Sequence, residues 1–215
     1  NCGLLIFILG LGQYLCGYIG AEHFLQSTSL IIVLLGMVIF LWGREIMSLV
    51  LFPIAYLIFM IPLPAIVWNK FAFSLKLFAT ETAFFFIQAI GVTALREGNI
   101  IVLPKTSLEV VDACSGLRSL ISLLALSALI GFISKLSYWK KWILFALTVP
   151  IAILSNIIRL VITVILAQSY GKDVTEGIQH TFAGIFVFII GIILIIITYK
   201  LLDTLPLKTV NQESK

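Results

Sequence analysis

Charge is scarce in this chain, and so are cysteine and histidine. Charged side chains make up 11% of the 215 residues, where a soluble domain carries about 25%. The net charge of +4 is small and sits between apolar runs. It reports orientation in a membrane and argues against nucleic acid as a partner. Only three cysteines occur, Cys2, Cys16 and Cys114, with no CxxC pair. That excludes a thiol–disulfide relay and a cysteine zinc site. Two histidines, His23 and His180, are too few and too far apart for a histidine cluster, and HExxH is absent. Neither a metal nor a cofactor is expected. No tandem repeat or low-complexity segment is present.

Apolar residues dominate instead, at 61% with a mean hydropathy of +1.16. Long apolar runs recur along the whole chain, which predicts an all-α polytopic membrane protein with lipid as its surroundings. Spanning helices are expected at about 3–20, 28–43, 46–62, 115–134, 142–169 and 180–199. Ile61-Pro62-Leu63-Pro64 interrupts the series. Residues 68–91 then read as one amphipathic helix, with Lys70, Ser74, Glu81 and Gln88 on a single face. Residues 96–104 and 108–111 read as a short β-hairpin around a Pro-Lys-Thr-Ser turn. The chain opens on Asn1 with no charged leader, which fits a truncated or cleaved N-terminus and a missing preceding helix. The expected organisation is one integral-membrane domain over 1–215, with 201–215 as a short cytoplasmic tail.

Lysine placement orients the bundle. Lys135, Lys140 and Lys141 share one loop without an acid, the tail carries Lys200, Lys208 and Lys215, and Arg44 lies in the 43–45 link. The positive-inside rule makes these cytoplasmic and turns 63–114 and 170–179 outward. The β-hairpin is then on the outer face. Arg159 lies 17 residues beyond Trp142, about 26 Å at 1.5 Å per residue, against a hydrocarbon core about 30 Å thick. Cys114 and His180 open helices at that same outer level. A thiol, a cation and an imidazole thus converge from three distant segments, a set that points to covalent catalysis.

Each residue also has a plainer reading. Cys114 alone is a small buried hydrophobe. Its setting favours more: Ser115 and Gly116 open a helix, whose N-terminus lowers a thiol pKa and holds an oxyanion. Arg159 either snorkels to a phosphate headgroup or serves as a fixed cation for a carboxylate or oxyanion. Asn156, three residues earlier, is placed to orient it. His180 gains meaning from the other two, as the partner of a thiolate. Arg118, four residues after Cys114, either lowers the thiol pKa or binds substrate. Cys2 and Cys16 read as packing residues.

Val111-Asp112-Ala113-Cys114-Ser115-Gly116-Leu117-Arg118-Ser119-Leu120 resembles the cysteine motif of the exosortase/archaeosortase family. Pro150 followed by Asn156-Ile157-Ile158-Arg159 is similar to its arginine motif, and His180-Thr181-Phe182-Ala183-Gly184 to its histidine motif. The resemblance covers about residues 60–200. Gln179 and Ala183 depart from the family pattern, where an aromatic and a serine are common. The resemblance implies a cysteine transpeptidase or protease in the cytoplasmic membrane of a prokaryote, active at the outer face. Its substrates would be proteins with a C-terminal sorting tag: a short motif such as Pro-Glu-Pro, a hydrophobic helix, then a basic cluster. It further implies that Cys114 forms a thioester, His180 activates the thiol and protonates the leaving amine, and Arg159 stabilises the oxyanion. An acceptor of unknown identity, or water, then releases the product. The competing class is a non-enzymatic transporter or assembly subunit, with Arg159 and Glu81 lining a polar path.

Overall fold

The computed structural model describes residues 2–104, 107–110, 116–170 and 178–205. In chain order these form α1 (Cys2–Ile19), α2 (His23–Tyr56), a 3-10 turn (Leu57–Met60) and α3 (Ala65–Ala89). Strands β1 (Leu95–Glu97), β2 (Ile100–Val102) and β3 (Ser107–Glu109) follow, then α4 (Leu117–Ile133), α5 (Tyr138–Tyr170) and α6 (Ile178–Thr204). Among the described residues, four helical stretches, Cys2–Ile19, His23–Met60, Tyr138–Gln168 and Gly184–Thr204, are long and apolar enough to cross a membrane, and Leu117–Ile133 is a shorter apolar helix. The chain is therefore an all-α multi-pass membrane protein with one small sheet. It divides into two compact units, residues 1–69 and 70–215.

In the first unit, α1 buries only Gly3, Gly10 and Gly17. Their spacing of seven puts them on one face, two turns apart. A Cβ on Gly10 would meet Val33 at 2.8 Å, and one on Gly17 would meet the Gln26 backbone at 2.9 Å. Gly3 meets the Phe40 backbone, and Gly36 of α2 meets that of Phe7, closer still. The two helices thus run antiparallel with their backbones almost touching, the close approach that small residues permit inside membranes. Gln13 reinforces them by donating to Thr28 Oγ1 at 2.7 Å and Leu25 O at 3.2 Å. Helix α2 breaks at Gly43, where φ is 81° and ψ −174°, a backbone state open to glycine. Leu57, Met60 and Ile61 line the same cavity as Gln26 and Leu30, which a straight helix would hold about 45 Å apart. The segment after Gly43 therefore folds back. This is the break expected at 43–45, between two separate apolar stretches.

In the second unit, α3 ends in a Schellman cap. Gly91 has φ 86°, its N–H donates to Gln88 O, and the Val92 N–H donates to Ile87 O. The face expected to be polar is exposed throughout at Lys70, Ser74, Glu81 and Gln88. The opposite face contributes Ala79, Ala83 and Ile87 to a buried cluster with Ile101, Leu103, Leu108 and Val110 of the sheet region and Ile157, Leu160 and Val164 of α5. The sheet has three strands in the order β1-β2-β3, all antiparallel, one more than the expected hairpin. Gly98, at φ 63°, and Asn99 make a two-residue turn that pairs Glu97 with Ile100, a hairpin signal hidden inside what reads as one strand.

Helices α4, α5 and α6 form a bundle around Leu123, Leu144, Ala152, Ile195 and Leu202. Helix α5 starts at Tyr138, four residues earlier than expected, because Ser137 serves as its N-cap backbone acceptor for the Lys141 N–H. Pro150 lies within α5 without ending it. At the far end of the bundle Lys140 Nζ donates to Leu205 O at 2.8 Å. The basic loop and the C-terminal end of α6 are therefore neighbours, and α6 runs through four residues of the segment expected as tail.

Candidate active site

Helix α4 begins abruptly. Gly116 is its N-cap with φ 81° and no side-chain hydrogen bond. The first intrahelical bond is Leu120 N–H to Gly116 O at 2.8 Å, so the N–H groups of Arg118 and Ser119 have no partner within the helix. A Cβ on Gly116 would lie 2.7 Å from Asn156 Cγ and 2.8 Å from Asn156 Nδ2. Glycine is required here twice over, by its left-handed φ and by the Asn156 side chain pressed against it. The opening of α4 is thereby fixed onto the middle of α5.

Helix α5 carries a polar notch, Ser155-Asn156 and then Arg159. Ser155 is 3% exposed and Asn156 4%; Arg159 is half-buried. Most other buried hydroxyls in this unit turn back onto their own helix. Thr80, Ser127, Thr148 and Thr163 each donate to a carbonyl three or four residues earlier, at 2.7–2.9 Å. Ser155 Oγ does not; it is buried with no hydrogen-bond partner among the described residues. It lies against Gly191 of α6, where a Cβ would come within 3.5 Å of it. Ser119, Ser155, Asn156, Arg159 and Gly184 line a cavity of about 20 Å³, the size needed for one water molecule.

Helix α6 closes the junction. A Cβ on Gly184 would sit 3.9 Å from Arg159 Nη1, an ordinary contact. Arg159 therefore meets α6 at a position one turn beyond His180. Arg159 is 21 residues from the start of α5, about 32 Å along the axis, which puts it near the far boundary of a hydrocarbon core about 30 Å thick.

Of the residues singled out from sequence, Gly116, Asn156 and Arg159 are brought together at this junction. Cys114 and Ser115 lie outside the described residues, as do the loop residues 171–177. The backbone of His180 belongs to the first turn of α6, and its side chain lies outside the described residues. Arg118 is exposed in the first turn of α4. The left-handed Gly116 separates it from Cys114, so helical spacing does not relate the two, as an earlier helix start at 115 would have. Cys2 and Cys16 are exposed on α1. Glu81 is 72% exposed and lies 3.2 Å from Arg96 Nη1 of β1, an ion pair that ties α3 to the sheet. Sequence reasoning missed Ser119 and Ser155. The signal for Ser155 was present, since it adjoins Asn156 in an otherwise apolar stretch.

The family model described as transmembrane exosortase matches residues 2–197 of the chain. No curated protein and no solved structure matches it.

Proposed function

The chain belongs to the transmembrane exosortase family, and from that premise we propose that it cleaves proteins at a C-terminal sorting signal, with Cys114 as the nucleophile. Membership supports a role in processing sorting signals. The observation that supports this chemistry is the packing at the bundle junction: Gly116, two residues after Cys114, against Asn156, and Gly184, one turn after His180, against Arg159.

In this mechanism His180 takes the proton of the Cys114 thiol as sulfur attacks the scissile carbonyl carbon. The carbonyl electron pair moves to oxygen, and Arg159 with the α4 N–H groups stabilises that oxyanion. The intermediate collapses with loss of the C–N bond, and His180 returns the proton to the departing amine. A thioester on Cys114 remains. An acceptor amine, another nucleophile or water attacks it and restores the thiol. Asn156 and Gly116 hold the junction, and Arg118, exposed beside it, contacts the substrate. The site faces outward across the cytoplasmic membrane, because Lys135, Lys140, Lys141 and Lys200 gather toward the other end of the bundle.

The test is processing of a tagged substrate in membranes, normalised to inserted enzyme. Cys114→Ala abolishes maturation, while Cys2→Ala and Cys16→Ala leave it near normal. Arg159→Lys lowers the rate about 10²–10³-fold, the usual loss for one oxyanion donor. A lysine that merely replaced a snorkelling arginine would leave the rate unchanged. Normal maturation by Cys114→Ala overturns the covalent mechanism.

A further inference from the structure

Among the described residues β3 is an unpaired edge of the three-stranded sheet, packed in the same buried cluster as the α5 residues beside Arg159. We propose that the extended segment of a substrate protein beside its scissile bond adds to β3 as a fourth strand, held main chain to main chain at Ser107 and Glu109. This deepens the reading above and rests on it.

The register carries the argument. Leu108 pairs with Ile101, and the Val110 N–H donates to Asn99 O at 2.9 Å. In an antiparallel ladder that alternation turns the main-chain groups of Leu108 and Val110 toward β2 and those of Ser107 and Glu109 away from it. Both outward residues are exposed, whereas Leu108 and Val110 are buried. The outward N–H and C=O groups make no hydrogen bond among the described residues. Such groups do not lie in hydrocarbon unsatisfied, so this edge belongs to the aqueous face, where it offers a template to any extended chain.

Two features set β3 apart from the other edge, β1. First, it is anchored in the core beside Arg159. Leu108 and Val110 share a buried cluster with Ile157 and Leu160, which flank Arg159 in α5, and Asn99 Nδ2 donates to Val110 O at 3.3 Å to clamp the strand end. Second, β3 is the strand nearest the proposed nucleophile in sequence. Glu109 is five residues from Cys114, at most about 18 Å of extended chain. A substrate segment paired with β3 would thus reach the thiol within about five of its own residues. β1 leads away instead, back toward α3, to which Arg96 is tied through Glu81. Main-chain pairing fixes the path of the substrate and leaves its side chains free, so one edge serves several sorting sequences.

The experiment is disulfide trapping in membranes. The enzyme carries Cys2→Ala, Cys16→Ala and Cys114→Ala with either Glu109→Cys or, for the opposite edge, Leu95→Cys. The probe is a tagged substrate protein with single cysteines placed one by one on both sides of the cleavage site. Position 109 is expected to trap alternate substrate positions about tenfold more strongly than those between them, because facing side chains repeat every second residue. Position 95 is expected to trap none. In the active enzyme, Glu109→Pro removes one outward N–H without breaking the β2–β3 ladder and is expected to raise KM about tenfold with kcat kept. Uniform trapping at 109, no trapping there, or trapping at 95 in its place overturns the proposal. Trapping is read in an enzyme that lacks the thiol, so it does not depend on turnover. Failure of the mechanism itself would show separately, as maturation by the Cys114→Ala enzyme.

Discussion

The two units of this protein solve the membrane problem differently. The first packs backbone against backbone through Gly3, Gly10, Gly17 and Gly36, and its buried polar side chains are satisfied locally, as Ser29 Oγ is by Gln26 O at 2.6 Å. The second packs through leucine, isoleucine and alanine around α5, yet it admits Ser155, Asn156 and Arg159 to the heart of its bundle. The larger cavity is in the first unit, about 640 Å³ and mostly apolar; the polar one in the second is about 20 Å³. Volume alone would direct attention to the first unit, away from the buried polar groups of the second. Buried polar groups are expensive in an apolar bundle, so their accumulation marks function better than empty space does.

The sharpest way to break this contrast is to put side chains where the first unit has none. Gly36→Leu drives a large side chain into the Phe7 backbone. Overpacking of this kind costs about 1–3 kcal/mol even where side chains can yield, and backbone cannot yield, so little folded protein should accumulate. Gly12→Ala is the control, because nothing lies within 4 Å of a Cβ there; alanine is favoured over glycine in a helix by about 1 kcal/mol. Thermal stability of detergent-solubilised protein separates them. Equal stability for the two variants would refute glycine packing.

An intermediate effect is expected at the junction. Gly116→Ala combines a left-handed alanine, at about 1–2 kcal/mol, with a Cβ pressed into Asn156. The account expects insertion at normal levels and a processing rate down by at least tenfold. Loss of protein without loss of specific activity would make Gly116 a packing residue like those of α1, and would erase the difference between the units. The smallest effect is at Ser155. Ser155→Ala removes a buried hydroxyl that makes no hydrogen bond among the described residues, which should leave stability unchanged or slightly raised. If that hydroxyl holds a water beside Arg159, the processing rate should fall a few-fold, and Ser155→Thr should restore part of it. Stability lowered by the alanine would show an unrecognised structural bond.

Hydropathy made the helices legible, because a span must be apolar along most of its length. The breaks at Gly43 and at 61–64 were legible too, as charge and proline interrupt apolar runs there. The third strand was not, because Gly98-Asn99 lies inside a stretch that alternates like a single strand. The seven-residue glycine series in α1 escaped notice because hydropathy scales barely register glycine. Counting helical rise put Arg159 at the level where α4 and α6 start, since depth in a straight helix is nearly linear in residue number; among the described residues Arg159 meets Gly184, and the contact of Asn156 with Gly116 was not anticipated. Helical counting does not relate Arg118 to Cys114, because the left-handed Gly116 lies between them. The position of Ser155 beside Asn156 was visible in the sequence, but that its hydroxyl does not bond back to its own helix needed coordinates.

The central claim is that the thiol at position 114 sits at the Arg159 junction. It is tested most directly by spontaneous disulfide formation in an enzyme with Cys2→Ala and Cys16→Ala that keeps Cys114. Gly184→Cys places a sulfur beside Arg159, while Gly131→Cys places one near Lys141 at the other end of α4. The account predicts rapid closure from 114 to 184 under mild oxidation and none from 114 to 131. Closure to 131, or none to 184 while both thiols accept a maleimide, would contradict it.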